Sequence, residues 1–345
     1  MGEKLKETVA EFAQDFLGKC PVIILGSGAS IAHGIPGMPE LKKELLGVNC
    51  PEDASLEEKG LWSEFQAKLG TKDLESALEE LQLGETLTSF VVELTWDYLA
   101  PYDYDVFKKA ISNRNIFPLT ELFNYLLNST KKEIDVVTTN YDRLAEYAAD
   151  VANISHYTGF HYGNIRQRAN HKKPRILIGK EPRRTVNVWK VHGSLDWFRD
   201  SDGVVLGLPV SNTRPSDVRP VIVTPGIEKF RRTHEEPFLS IKQSADKALR
   251  NADAYLCIGY GFNDDHLHPI LFERCRENDV PLILLTKTVS KKAKDFLESG
   301  NCCDYLAIEE AGSGCRIYSN DYPGGEEIAG EDMWKLGEFL KLVTS

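Results

Sequence analysis

Val22-Ile23-Ile24-Leu25-Gly26-Ser27-Gly28-Ala29-Ser30, followed by Gly34-Ile35-Pro36, is the stretch from which the fold can be read. Four consecutive large apolar residues, three of them β-branched, are too few for a core helix and read as a buried strand. Two glycines one residue apart at its end permit a tight turn with no Cβ in the way. Their N–H groups, with those of a helix starting near Ser30, are placed to surround a phosphate. The stretch predicts strand, glycine turn and helix, with a nucleotide site at the turn.

The dehydrogenase fingerprint needs a third glycine three positions after the second. Ile31 stands there, and the next glycine is Gly34. No acidic residue closes a clear second strand about 20 residues on, where a ribose partner belongs. Hydride transfer on an ordinary dinucleotide domain is disfavoured. No glycine is followed by Lys-Ser or Lys-Thr at phosphate-loop spacing, so that route to ATP hydrolysis fails too.

Working outward, Ile134–Thr138, Val186–Val191, Val221–Val223, Ala254–Ile258 and Pro281–Leu285 are further short apolar runs. They have the look of strands covered on both faces. Helical patterns at Leu119–Asn128, Arg143–Ala149, Glu235–Arg250, Leu267–Arg276 and Lys291–Leu297 separate several of them. The alternation predicts an α/β, Rossmann-like, mostly parallel sheet with helices on both faces. Residues 1–345 are read as one such domain. Leucines and aromatics at helical spacing mark a helical insertion over 50–116, and 153–185 is a second insertion without periodicity, a candidate lid. The tail 326–345 reads as one amphipathic helix with Met333, Leu336, Phe339, Leu340 and Val343 on a stripe.

Composition narrows the partners. A net charge of −11 argues against a nucleic-acid binder, because phosphate neutralisation needs a basic surface. No apolar run is long enough to span a bilayer, and the first residues carry no signal-peptide core, so a cytoplasmic protein is expected. Cysteines at 20, 50, 257, 275, 302, 303 and 315 form no Cys-x-x-Cys pair, and their odd number fits reduced thiols.

In a parallel sheet, ligands sit beyond the carboxyl ends of the strands. Just past the predicted strands come the glycine loop, Thr139-Asn140-Tyr141-Asp142, His192-Gly193-Ser194, Thr224-Pro225-Gly226 and Gly259-Tyr260-Gly261-Phe262. Taken singly, each has a structural explanation. Asn140 and Asp142 could cap a helix, and His192 could be a satisfied buried histidine. Taken together, they could converge on one crevice.

The ordered set resembles the sirtuin superfamily from about residue 20 to 290. Its signatures are Gly26-Ser27-Gly28-Ala29-Ser30 with Gly34-Ile35-Pro36, then Thr138-Thr139-Asn140-Tyr141-Asp142, then His192-Gly193. Gly259-Tyr260-Gly261-Phe262-Asn263-Asp264 is similar to the variant in bacterial sirtuin-like NAD-cleaving proteins of antiphage defence. The resemblance implies NAD as substrate and no metal. It places Asn140 beside the ribose and attacking water, Asp142 near the nicotinamide carboxamide, and His192 as general base. Gly26, Ser27, Gly28, Ser30, Ile35, Pro36, Met38, Thr139, Gly259, Tyr260 and Gly261 would complete the cofactor site.

Three departures from the deacylases shift the reading. The four-cysteine zinc ribbon is missing, Met38-Pro39 stands where Phe-Arg is usual, and Thr139 stands where Gln is usual. The expected activity is NAD⁺ hydrolysis to nicotinamide and ADP-ribose, as an NAD-depleting antiphage effector. ADP-ribosyl transfer, deacylation, and non-catalytic NAD or ADP-ribose binding for assembly are the alternatives. Such an enzyme must be controlled, so a homo-oligomer or a regulatory partner such as a HerA-type ATPase is expected. A metal site at Asp264, Asp265, His266 and His268 is disfavoured, because His-x-His on a helix points its rings apart.

Overall fold

The computed structural model describes residues 2–128, 130–169, 173–224, 235–264 and 267–344. Nine strands form the main sheet, in the order β15-β14-β13-β12-β11-β1-β2-β7-β3. The six central ones are β1 (Val22–Leu25), β2 (Glu133–Thr138), β7 (Thr185–Lys190), β11 (Tyr255–Ile258), β12 (Leu282–Leu285) and β13 (Tyr305–Ala311). All pairings from β13 to β7 are parallel. Antiparallel β14 (Gly314–Ser319) and β15 (Glu326–Ala329) finish one edge. The fold is therefore α/β with a mostly parallel, doubly wound sheet.

The alternation of buried side chains explains the layers. Ile23, Leu25, Leu256, Ile258, Ile283 and Leu285 enter one core, while Val22, Ile24, Tyr255, Cys257, Leu282 and Leu284 enter the opposite one. Helices α1 (Gly2–Gly18), α7 (Pro118–Leu127) and α8 (Leu144–Val151) cover the first face. Helices α9 (Phe238–Arg250), α10 (His268–Glu277) and α11 (Lys291–Phe296) cover the second. A strand buried on both faces has no polar alternation, which is why these runs are continuously apolar.

From β1 the chain winds outward through β2 and β7 in one direction and through β11, β12 and β13 in the other. The winding reverses between β1 and β11, and the crevice at such a point is where doubly wound folds bind ligands. Between β1 and β2 lie α2 (Ser27–Ile31), α3 (Met38–Gly47), α4 (Leu56–Thr71), α5 (Leu74–Glu79) and the long α6 (Gly84–Ser112). Helices α3 to α6 share a small core of their own around Trp62, Phe65, Leu69 and Leu87.

Three sequence expectations need correction. Arg219–Ile222 (β10) is not in the main sheet: it pairs with β8 (Gly193–Arg199) in a separate antiparallel sheet completed by β9 (Val205–Gly207) and β4 (Arg166–Gln167). The 153–185 segment is more than a lid, because β3 (Ser155–Tyr157) forms the edge of the main sheet on β7. It also carries the hairpin of β5 (Leu177–Ile178) and β6 (Glu181–Pro182). The 326–345 tail is not one helix. Glu326–Ala329 is β15, Gly330 at φ +77° ends it, and α12 spans Leu336–Thr344. The predicted stripe is nonetheless buried in the first core, where α12 packs on α1 and α7.

Candidate functional site

A cavity of about 630 Å³ opens where the winding reverses. That lies within the span of about 300–1,000 Å³ usual for small-molecule sites. Its lining includes Gly26, Ser27, Ser30, Ile35, Pro36, Met38, Thr139, Asn140, Asp142, His192, Tyr260 and Gly261. Gly28 and Gly259 are not among the lining residues. Thr224 lines a different cavity of about 690 Å³ between α6 and β10. Pro225, Gly226, Asp265 and His266 lie outside the described residues.

The glycines serve a different purpose from the one their spacing implies. The Gly26 N–H donates to Ile258 O at 3.0 Å and the Gly28 N–H to Gly259 O at 3.1 Å. Both amides expected at a phosphate are thus engaged by the neighbouring strand end. A Cβ on Gly28 would sit 2.7 Å from the Gly259 Cα, and one on Gly26 would sit 2.3 Å from the Gly259 carbonyl oxygen. The two turns touch backbone to backbone and form the floor beneath the cavity. Closeness of β1 to β11 is what demands glycine here.

On this floor the polar groups are wired together. The Thr138 hydroxyl donates to Leu25 O at 3.0 Å and accepts the Asn140 N–H at 3.0 Å. That bond turns the chain so that Asn140 faces β1. The Asn140 Nδ2 donates to Gly26 O at 2.8 Å and to the Ser30 Oγ at 2.9 Å. An amide nitrogen has two hydrogens, so both are engaged and Oδ1 is the atom Asn140 can offer a ligand. The Ser30 Oγ in turn donates to the Asp142 Oδ2 at 2.7 Å, and the Leu144 N–H reaches the Asp142 Oδ1 at 3.1 Å. Burial pushes the Asp142 carboxyl up from the ordinary range, against the Lys190 cation and the Ser30 hydroxyl.

Lys190 is a functional candidate that sequence reasoning missed. It is fully buried, donates to Asp142 O and lies 3.3 Å from the Glu146 Oε1. The available signal was a lysine at the end of a fully buried strand that also carries Thr185 and Asn187. A buried cation must be paired, and its partners come from α8 and its N-terminal approach. Beneath it, Asp196 pairs with Arg166. Burial alone would raise Asp196, but Arg166, Arg143 and Lys190 outweigh it and hold the carboxyl at about 2.

His192 leaves β7 and turns into β8. Its carbonyl accepts the Val223 N–H at 2.9 Å, and Gly193 follows at φ +89° with no room for a Cβ beside Val221 O. The imidazole Nε2 lies 3.0 Å from the Asp264 Oδ2, an ion-pair distance off the line of a good hydrogen bond. Asp264 and Lys292 also line the cavity. Among the described residues, no group of three or more His, Cys, Asp or Glu side chains could hold a metal ion.

The fold and this crevice define a doubly wound α/β protein with its site at the topological switch point. Residues 135–303 match the family model of the SIR2-like domain. The matched span takes in Asn140, Asp142, His192 and the Gly259–Asp264 run, and leaves the glycine loop after β1 outside it. Over those residues the chain is similar to the SIR2-like domain. No curated protein matches it. Similar solved structures include one described as a Sir2 homolog–NAD complex, at 16% identity and TM-score 0.47, covering 89% of this chain and 88% of that one. Another is a Sir2 homologue mutant with 2′-O-acetyl ADP ribose, at 17% identity and TM-score 0.43, covering 87% and 95%. No helix among the described residues is long and apolar enough to cross a membrane.

Proposed function

We propose that the chain uses NAD⁺ and cleaves its nicotinamide–ribose bond with water as acceptor. One observation carries the reading: Ser30 from α2, and Asn140, Asp142 and His192 from the segments after β2 and β7, meet on the wall of one cavity. The SIR2-like match and the Sir2 homolog–NAD complex are consistent with that substrate.

In the reaction the C1′–N bond breaks and its electron pair leaves with neutral nicotinamide. Positive charge develops on the ribose, and a water oxygen bonds to C1′. Asn140, fixed by Gly26 and Ser30, presents Oδ1 to the water or a ribose hydroxyl. An amide is too weak a base to take the proton, so it orients. His192 accepts the proton and releases it to solvent. General-base help of this kind contributes about 10²–10⁴ in rate. Asp142, its carboxyl aligned by Ser30 and Leu144, is the group we assign to hold the carboxamide.

The physiological role we infer is NAD depletion during phage infection, with assembly of the chain or a partner ATPase holding the activity in check. Purified protein should release nicotinamide from NAD⁺, and Asn140→Ala should lower turnover by on the order of 10²-fold or more while keeping the thermal midpoint. In infected cells the same substitution should preserve the NAD that the unmodified chain removes. Undiminished release by Asn140→Ala would remove Asn140 from the mechanism.

A further inference from the structure

Asp264 has no part in the mechanism above, yet it touches the group that does. His192 arrives from β7 and Asp264 from the loop after β11, two elements on opposite sides of β1 in the sheet. Their side chains meet with the His192 Nε2 3.0 Å from the Asp264 Oδ2, at 11% and 6% exposure. The carboxylate is aimed by the backbone. Its Oδ1 accepts the Leu267 N–H at 3.2 Å, and its carbonyl accepts the His268 N–H at 3.2 Å. One oxygen holds the Leu267 N–H just ahead of α10, and the other lies beside the imidazole.

Which ring nitrogen of a histidine carries the proton is set by the partner of the other. The Asp264 Oδ2 lies 3.0 Å from Nε2 but off hydrogen-bond geometry, so it is the charge of the carboxylate that favours the hydrogen on Nε2 and leaves the lone pair on Nδ1. We propose that Asp264 is a positioning residue for His192: it fixes the Nε2–H tautomer, so that Nδ1 is the base, and it stabilises the imidazolium once Nδ1 has taken a proton. The inference rests on the proposed hydrolysis for its consequence in rate, and on the contact itself for the tautomer. The step is balanced. The proton lost by the attacking water, or by a ribose hydroxyl that water then reprotonates, resides on Nδ1 and leaves to solvent.

Asp264→Asn is the informative substitution, because asparagine keeps both the shape and an oxygen for the Leu267 N–H but can offer Nε2 a donor. In protein labelled with ¹⁵N at histidine and free of NAD, the ring resonances lost in His192→Gln identify His192. They should show Nε2–H in the unmodified chain and Nδ1–H in Asp264→Asn. In turnover, Asp264→Asn should lower kcat on the order of 10²-fold or more, with KM for NAD⁺ within about threefold of the parent value. A His192 already carrying its proton on Nδ1 in the unmodified chain overturns the proposal, even should the variant fail to fold. An unchanged kcat in Asp264→Asn overturns it too, and leaves the hydrolase reading standing. The expected tautomers in a chain that releases no nicotinamide would support the pairing and remove the hydrolase reading instead.

Discussion

Ser30 is where the site's connections cross. Its hydroxyl accepts from Asn140 and donates to Asp142, and it is buried. Ser30→Ala would strip a partner from a desolvated carboxyl and from an amide hydrogen at once. Leaving a buried polar group unsatisfied costs about 1–3 kcal/mol. The expected outcome is a loss of stability of that order in urea, and a larger proportional loss of kcat, because Asn140 can then rotate. Full turnover in a destabilised Ser30→Ala protein would show that Asn140 needs only Gly26 to hold it. Serine at this position was legible in the sequence; its link to Asp142 was not, because the two lie far apart along the chain.

At the scale of elements, legibility followed burial. β1, β11 and β12 could be read because both faces are covered and nothing polar interrupts them. β8 and β13 could not, because buried charges break their pattern. Asp196 in β8 is held by Arg166, and Glu309 in β13 by Tyr318 and Arg316. Those partners are supplied by the fold, so a residue that looks exposed in the sequence is interior. The loop after α2 is anchored in a similarly hidden way. His33 packs on Phe117 with ring centroids 5.2 Å apart. Burial first, then the Lys109 cation, lower its pKa from 6.5 to about 4. Below about 6.5 the unfolded chain takes a proton that the folded His33 refuses. Its contribution to stability is therefore full above 6.5 and is lost as the pH falls to about 4. The size is on the order of 2–3 kcal/mol. His33→Phe should flatten the stability–pH curve across that window in urea titrations. An unchanged slope would place the acid sensitivity elsewhere.

For the whole molecule, the proposed function makes charge decide how an anionic dinucleotide would reach the crevice. NAD carries two phosphates and one pyridinium, so it is a net anion approaching a chain of net charge −11. The cavity is lined by Asp73, Glu75, Glu79 and Asp264, with Lys292 as the one lysine among the described lining residues. The amides of Gly26 and Gly28 are engaged elsewhere, so the loop that looks like a phosphate cradle offsets less of this repulsion than its sequence implies. The Debye length shrinks from about 30 Å at 0.01 M salt to about 10 Å at 0.1 M. Added salt should therefore screen the carboxylates from the incoming substrate. KM for NAD⁺ should fall severalfold between about 0.01 and 0.15 M salt with kcat unchanged, the reverse of an attractively steered enzyme. The double substitution Glu75→Gln and Glu79→Gln should lower KM at low salt and remove most of the dependence. A KM that instead rises with salt would show that Lys292 and the remaining loop donors dominate the approach, and that the acidic wall of α5 lies off the path the phosphates take.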